Sequence, residues 1–206
     1  MYYAANNIDK IVRENFFSNK LNGFFLDIGA FDGISINNTL HFEESGWNGI
    51  CFEPFPEIYK QLINNRKCKT VNKAISNKTE IRKFFKIDGY SSTLSGFVDT
   101  YTQEHIERIV REIEEKNQTY DYIDVECTTF SNEVKEKEID LLSIDTEGSE
   151  LMILESIDFS HYYIKVMILE YNYHNEKILK LLNDNGFEIL KQIGVDLIIK
   201  NKKFIP

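Results

Sequence analysis

Short apolar runs alternate with amphipathic stretches along most of this chain, and that alternation restricts the fold more than any single residue does. Phe24-Phe25-Leu26-Asp27-Ile28 is the clearest run, and it stops at Gly29. A helix is predicted over 35–45, ending before Gly46, followed by a strand over 49–53 that Pro54 terminates. Pro56 suits the first turn of a helix over 56–65, and 69–74 reads as a third strand. The pattern resumes later with strand 139–144, helix 148–156, strand 164–170 and a helix over 174–185 that ends at Gly186. Two final strands, 187–192 and 195–200, pair through Gly194. Continuous apolar strands separated by helices predict an α/β fold. Its sheet is mostly parallel and seven-stranded, with one late antiparallel strand and helices on both faces.

Two segments stand outside this repeat. Residues 4–19 read as an N-terminal helix, with Ile8, Ile11, Val12, Asn15 and Phe16 on one face. Residues 88–120 read as an insertion or lid between strands at 81–87 and 120–127: a Gly/Ser loop over 88–99, then a highly charged helix over 102–117. The stripe Ile106, Ile109, Val110 and Ile113 makes that helix a packed surface element, a lid or an oligomer contact. No repeat and no Pro/Gly/Ser linker divides the chain, so 1–206 reads as one domain.

Composition narrows the class. The net charge of −9 lacks the basic footprint of a nucleic-acid binder. No apolar run approaches the roughly 20 residues of a membrane helix, and the N-terminus has no signal core. The expectation is a soluble, cytoplasmic protein without nucleic-acid or membrane partners. Cys51, Cys68 and Cys127 are odd in number and show no C-x-x-C spacing, so neither a disulfide framework nor a zinc site is expected.

The chemistry concentrates at strand ends, where open α/β sheets bind ligands. Gly29 and Gly33 are expected to let the backbone approach a ligand. Asp27 precedes the turn and can take a cationic amine, while Asp32 would repel a pyrophosphate. The G-x-x-x-G spacing also departs from the dinucleotide fingerprint, which disfavours a nicotinamide-dependent oxidoreductase. Glu53 ends the second strand, where a carboxylate can accept both ribose hydroxyls. Asn72 and Ala74, near the end of the third, would border an adenine. A second constellation follows strand 139–144, with Asp145, Glu147 and Glu150, and strand 164–170 ends in Glu170 and Asn172. Asp145, Glu170 and Asn172 form an oxygen-rich set suited to a hard divalent cation such as Mg2+, or to hydrogen bonding alone. Glu150, at a helix start, suits a dipole role. His174 is a candidate general base; His41, His105 and His161 have no comparable placement.

The blocks DIGAFDGISINNTLHFEESGWNGICFEPFPE (27–57) and IDLLSIDTEGSELMILESID (139–158) resemble the FkbM-type methyltransferases, as do VNKAIS (71–76), GYSSTLSG (89–96), VMILEYN (166–172) and GVDLIIK (194–200). The resemblance implies a class I, Rossmann-like methyltransferase fold, S-adenosylmethionine as methyl donor, and O-methylation of a small-molecule or glycan acceptor. It implies a donor loop of Asp27, Gly29, Ala30, Asp32 and Gly33, with Glu53 on the ribose and Ser35, Asn38 and Thr39 near the methionine end. Ser91 and Ser92 would lie over the adenosine, and Asp145, Glu147 and Glu170 would line the acceptor side. The strand-end set also looks like the metal site of catechol-type O-methyltransferases, with Glu-x-Asn here in place of Asp-Asn. A non-catalytic binding module on the same fold is the remaining alternative.

Overall fold

The computed structural model describes residues 1–172 and 175–206. From the N-terminus run α1 (Ile8–Phe16), β1 (Phe24–Ile28), α2 (Leu40–Glu44), β2 (Asn48–Phe52), α3 (Pro56–Asn65) and β3 (Lys69–Val71). Then follow β4 (Ala74–Ser76), β5 (Glu80–Ile87), α4 (Gln103–Lys116), β6 (Tyr120–Thr129) and α5 (Phe130–Glu133). The chain closes with β7 (Glu138–Ile144), α6 (Glu150–Glu155), β8 (Tyr163–Glu170), α7 (Glu176–Asp184), β9 (Phe187–Ile193) and β10 (Asp196–Asn201).

Seven strands form one sheet in the order β3-β2-β1-β7-β8-β10-β9. All pairs are parallel except those of β10, which runs antiparallel to both β8 and β9. Alternate side chains of the same strands feed two cores, as a period of two requires. Leu26, Ile28, Phe52, Leu142, Met167 and Leu169 pack on one face with Ile153 and Leu154 of α6 and Ile178 and Leu182 of α7. Phe25, Cys51, Leu141, Val166 and Ile168 pack on the other with Ile8 and Val12 of α1, Phe42 of α2, Leu62 of α3, and Trp47 just before β2. With both faces covered, the central strands can be continuously apolar. No helix among the described residues is long and apolar enough to cross a membrane.

The structure revises several expected boundaries. The run 69–74 splits at Asn72–Lys73 into β3 and β4, and β4 leaves for a small sheet of order β4-β6-β5. The helix expected over 35–45 shrinks to α2. Ile36 sits at a left-handed φ of 52°, and Asp32 instead turns the chain by accepting from the backbone N–H groups of Ile34 and Ser35. Asn37 Oδ1 then accepts from the Thr39 and Leu40 N–H groups, so helical turns start only there. At the N-terminus, α1 begins at Ile8 after a 3-10 turn, and Asn15 lies exposed, outside the buried face. Between β5 and β6, the Thr102 side chain caps α4, and Ile109 packs on Phe85, Ile87 and Leu94.

Gly29 shows how tightly the strand tips meet. Its φ is +86°, and a Cβ there would stand 1.8 Å from the Asp145 carbonyl oxygen. Gly186, with φ +81°, has nothing within 4 Å of the same construction. Gly186→Ala is expected to cost about 1–2 kcal/mol, the left-handed strain alone. Gly29→Ala adds a collision between the ends of β1 and β7 and should cost clearly more. Urea unfolding of both variants measures this; equal losses would show that the strand tips yield.

Candidate active site

A cavity of about 370 Å³ opens over the carboxyl ends of β2, β1, β7 and β8. Asp27, Glu53, Asp145, Glu147 and Glu170 line it, so its floor is acidic. Phe55, Ala74, Phe84 and Phe97 make one flank apolar; they belong to the cluster that joins α3 to the small sheet. Arg108 of α4 lines it as well.

On the β1 side, Asp27 is buried, and its Oδ2 accepts from Thr39 Oγ1 at 2.6 Å and Asn37 Nδ2 at 2.9 Å. The charge it was expected to offer a ligand amine already has a resident partner, because Arg66 Nη1 stands 3.6 Å away. The Arg66 side chain is wholly buried. It also donates from Nε to Glu43 at 2.7 Å, from Nη1 to Asn37 Oδ1 and from Nη2 to Thr39 Oγ1. Neither Arg66 nor Asn37 stood out in the sequence. An Arg closing a helix in the run R-K-C-K reads as surface, and only the tertiary fold turns it inward.

The other expected donor-loop residues divide. Gly29, Ala30, Ser35 and Asn38 line the cavity. Asp32, Gly33 and Thr39 are not among its described lining residues. Asp32 holds the exposed turn, and Thr39 serves Asp27 and Arg66. The glycines are not there for a ligand's approach alone: a Cβ on Gly33 would meet Arg66 and Leu62 at 2.7 Å, and one on Gly29 would meet Asp145.

Glu53 is buried at the end of β2, accepting from Phe31 N–H at 3.0 Å and Phe55 N–H at 2.8 Å. Burial pushes its carboxyl up to about 7, those two backbone bonds opposing the shift and nearby Asp27 adding to it. Asn72 does not reach the cavity. Its amide ties the Glu53 and Pro54 carbonyls, a bracket for the β2–α3 turn. Ala74 does line the cavity, as does Ser92; Ser91 is buried behind, donating to Glu112.

At the tips of β7 and β8, ligand oxygens of Asp145, Glu147 and Glu170 all lie within 4.8 Å of one another. Glu150 holds the turn that creates this meeting, accepting from Thr146 N–H, Thr146 Oγ1 and Gly148 N–H. Glu147 has a left-handed φ of 55°, and its N–H donates to Glu170. Burial, then the neighbouring carboxyls, raise Asp145 to about 7 and Glu147 to about 8, and push Glu170 well up. Asn172 also lines the cavity, its amide nitrogen donating to Glu170, and Glu147 is the third carboxylate of the cluster. His105, which the sequence left without a placement, is buried on α4 with Nδ1 3.6 Å from Glu147 Oε2. Burial holds its ring down to about 4. His174 lies outside the described residues.

A doubly covered parallel sheet with one antiparallel late strand, and an acidic cavity over its strand tips, is the architecture of a class I, S-adenosylmethionine-dependent methyltransferase. The model of the family described as "Methyltransferase FkbM domain" matches residues 27–189, and the chain belongs to that family. Among solved structures it is similar to a ribosomal protein L11 methylase from Lactobacillus delbrueckii subsp. bulgaricus, with a TM-score of 0.51 and 14% identity over 95% of this chain and 77% of that one. It is also similar to the Streptococcus pneumoniae protein Sp1610 in complex with S-adenosyl-L-methionine, with a TM-score of 0.49 and 13% identity over 100% of this chain and 76% of that one. At 14% identity, the likeness to the L11 methylase is one of fold. No curated protein matches the chain.

Arg66→Met should destabilise the protein by about 3–5 kcal/mol, because it strands Asp27 and Glu43 without their cation. Denaturant titration checks this, and an unchanged midpoint would show the ion pairs to be dispensable. Glu53 gives a pH signature. Its folded-state value, about 7, lies above its ordinary 4.5, so the folded protein holds a proton that the unfolded chain has lost. Stability therefore falls as pH rises from about 4.5 through 7, by up to about 3 kcal/mol from this group. Ligand-free Glu53→Gln should show a shallower decline over that window; parallel curves would refute the assignment.

Proposed function

We propose that this methyltransferase acts on a hydroxyl of a sugar, glycan or small metabolite. The observation that carries the reading is the meeting of Asp145, Glu147 and Glu170 within 4.8 Å inside the cavity. A hydroxyl must lose its proton as its oxygen attacks the donor's methyl carbon, and clustered carboxyls supply the acceptor for it. The net charge of −9 argues for a small acceptor over a nucleic acid.

S-adenosylmethionine carries two cationic groups, a ribose diol and a flat base, and the cavity offers a chemical match to each. Glu53 takes the diol, the flank of Phe55, Ala74, Phe84 and Phe97 takes the base, and Asp27 with Asn37 and Asn38 faces the amino-acid end. The donor is already activated, so the chain's main contribution is in-line orientation.

Asp145, Glu147 and Glu170 are also suited to hold a divalent cation such as Mg2+, since hard cations prefer carboxylate oxygens. Glu147 Oε2 is buried with no hydrogen-bond partner among the described residues, as a ligand oxygen would be. Bound there, the ion would lower the pKa of the acceptor hydroxyl.

Methyl transfer from labelled S-adenosylmethionine to a panel of hydroxylated and amine acceptors tests the reading. Transfer confined to amines would overturn it, and donor binding without transfer to any acceptor would favour the non-catalytic module. Asp27→Ala should abolish donor binding in calorimetry. Asp145→Asn should keep donor affinity and lose turnover by about 100-fold or more. A strong chelator should suppress turnover and added Mg2+ restore it; indifference to chelation would remove the cation from the scheme.

A further inference from the structure

Cys51 and Cys68 are free thiols with their sulfurs 3.5 Å apart. Cys51 is buried on β2, in register with Asp27 of β1, so the two side chains share one face of the sheet. Cys68 is half-buried just before β3, in a cleft also lined by Lys67, Lys69 and Lys135 and by Glu133 and Glu136. Arg66 bears electrostatically on both thiols and on Asp27, and its Nε donates to Glu43, which also accepts from the backbone N–H of Lys67 beside Cys68. A part-exposed thiol at a cleft, backed by a buried second thiol in van der Waals contact, is the arrangement of a sensing and a resolving cysteine.

We propose that Cys51 and Cys68 form a reversible disulfide that lowers affinity for the methyl donor. The oxidant is a peroxide. The Cys68 sulfur attacks its terminal oxygen, the O–O bond breaks, and with hydrogen peroxide a sulfenic acid and one water result. The Cys51 sulfur then attacks the Cys68 sulfur; the S–S bond forms, the S–O bond breaks, and the departing hydroxide leaves as water with the Cys51 proton. Two thiols lose two electrons, and one peroxide becomes two waters. Closing the sulfurs from 3.5 Å to about 2.0 Å draws the segment after α3 toward β2. Arg66, two residues before Cys68, moves with it, and Arg66 is the cation that holds Asp27.

The effect on donor affinity rests on the placement of Asp27 at the donor proposed above; the disulfide itself does not. The full-length protein is treated with hydrogen peroxide and analysed by peptide mapping and by calorimetry with S-adenosylhomocysteine. A cross-linked 51–68 peptide pair, lighter by two hydrogens, is expected. Affinity should fall about fivefold or more, at the low end of couplings between sites, and return with dithiothreitol. Cys68→Ser should keep its affinity through the same treatment. Cys68 recovered only as thiol or sulfinic acid, with no 51–68 pair, would overturn the proposal. So would a complete cross-link with affinity equal to that of reduced protein. Reduced protein that binds no S-adenosylhomocysteine would count against the donor-site reading, and the cross-link would then decide the disulfide alone.

Discussion

With its side chain wholly out of water, the Arg66 guanidinium stands 3.6 Å from Asp27 and 2.7 Å from Glu43, and it bonds Asn37 and Thr39 as well. The loop from Gly29 to Thr39 has little regular structure of its own, and these bonds fix it. A buried charge is tolerated only when its partners are complete, so each residue of the set constrains the others. Asp27 thereby stays in place at the edge of the cavity, and the thiol pair beside Arg66 is mechanically joined to the same point.

The other half of the cavity is built on repulsion. Asp145, Glu147 and Glu170 crowd together at the ends of β7 and β8, and their raised proton affinities record burial first and the neighbouring carboxyls second. Glu150 and the left-handed turn at Glu147–Gly148 hold that arrangement. A cationic ligand relieves it. That is the physical reason a sulfonium donor suits this floor where a diphosphate would not.

Much of this was legible in the chain. The run 24–28 returned as β1 with the same ends, and the helix over 56–65 as α3, because continuous apolar residues and a first-turn proline are local signals. Glu53 and Asp145 were placed at strand ends by counting alone, and both line the cavity. Asn72, Ser91 and Thr39 stand outside the cavity lining for a shared reason: each is a polar residue beside the site whose side chain satisfies the protein's own backbone or carboxyls. Motif position cannot tell a residue that faces a ligand from one that braces its neighbour. His105 was left without a placement because the helix that carries it is amphipathic by pattern, and only packing brings it to Glu147.

The sequence by itself determined the strand-helix alternation, the glycine after β1 and the acidic character of the strand ends, since each depends on residues adjacent along the chain. Tertiary structure alone decided which carboxylates meet. It set Glu147 in the triad, turned Arg66 inward onto Asp27, split the third strand between two sheets and brought Cys68 against Cys51. All of these are contacts through space between segments that local periodicity does not relate, settled by the packing of two cores on opposite faces of one sheet.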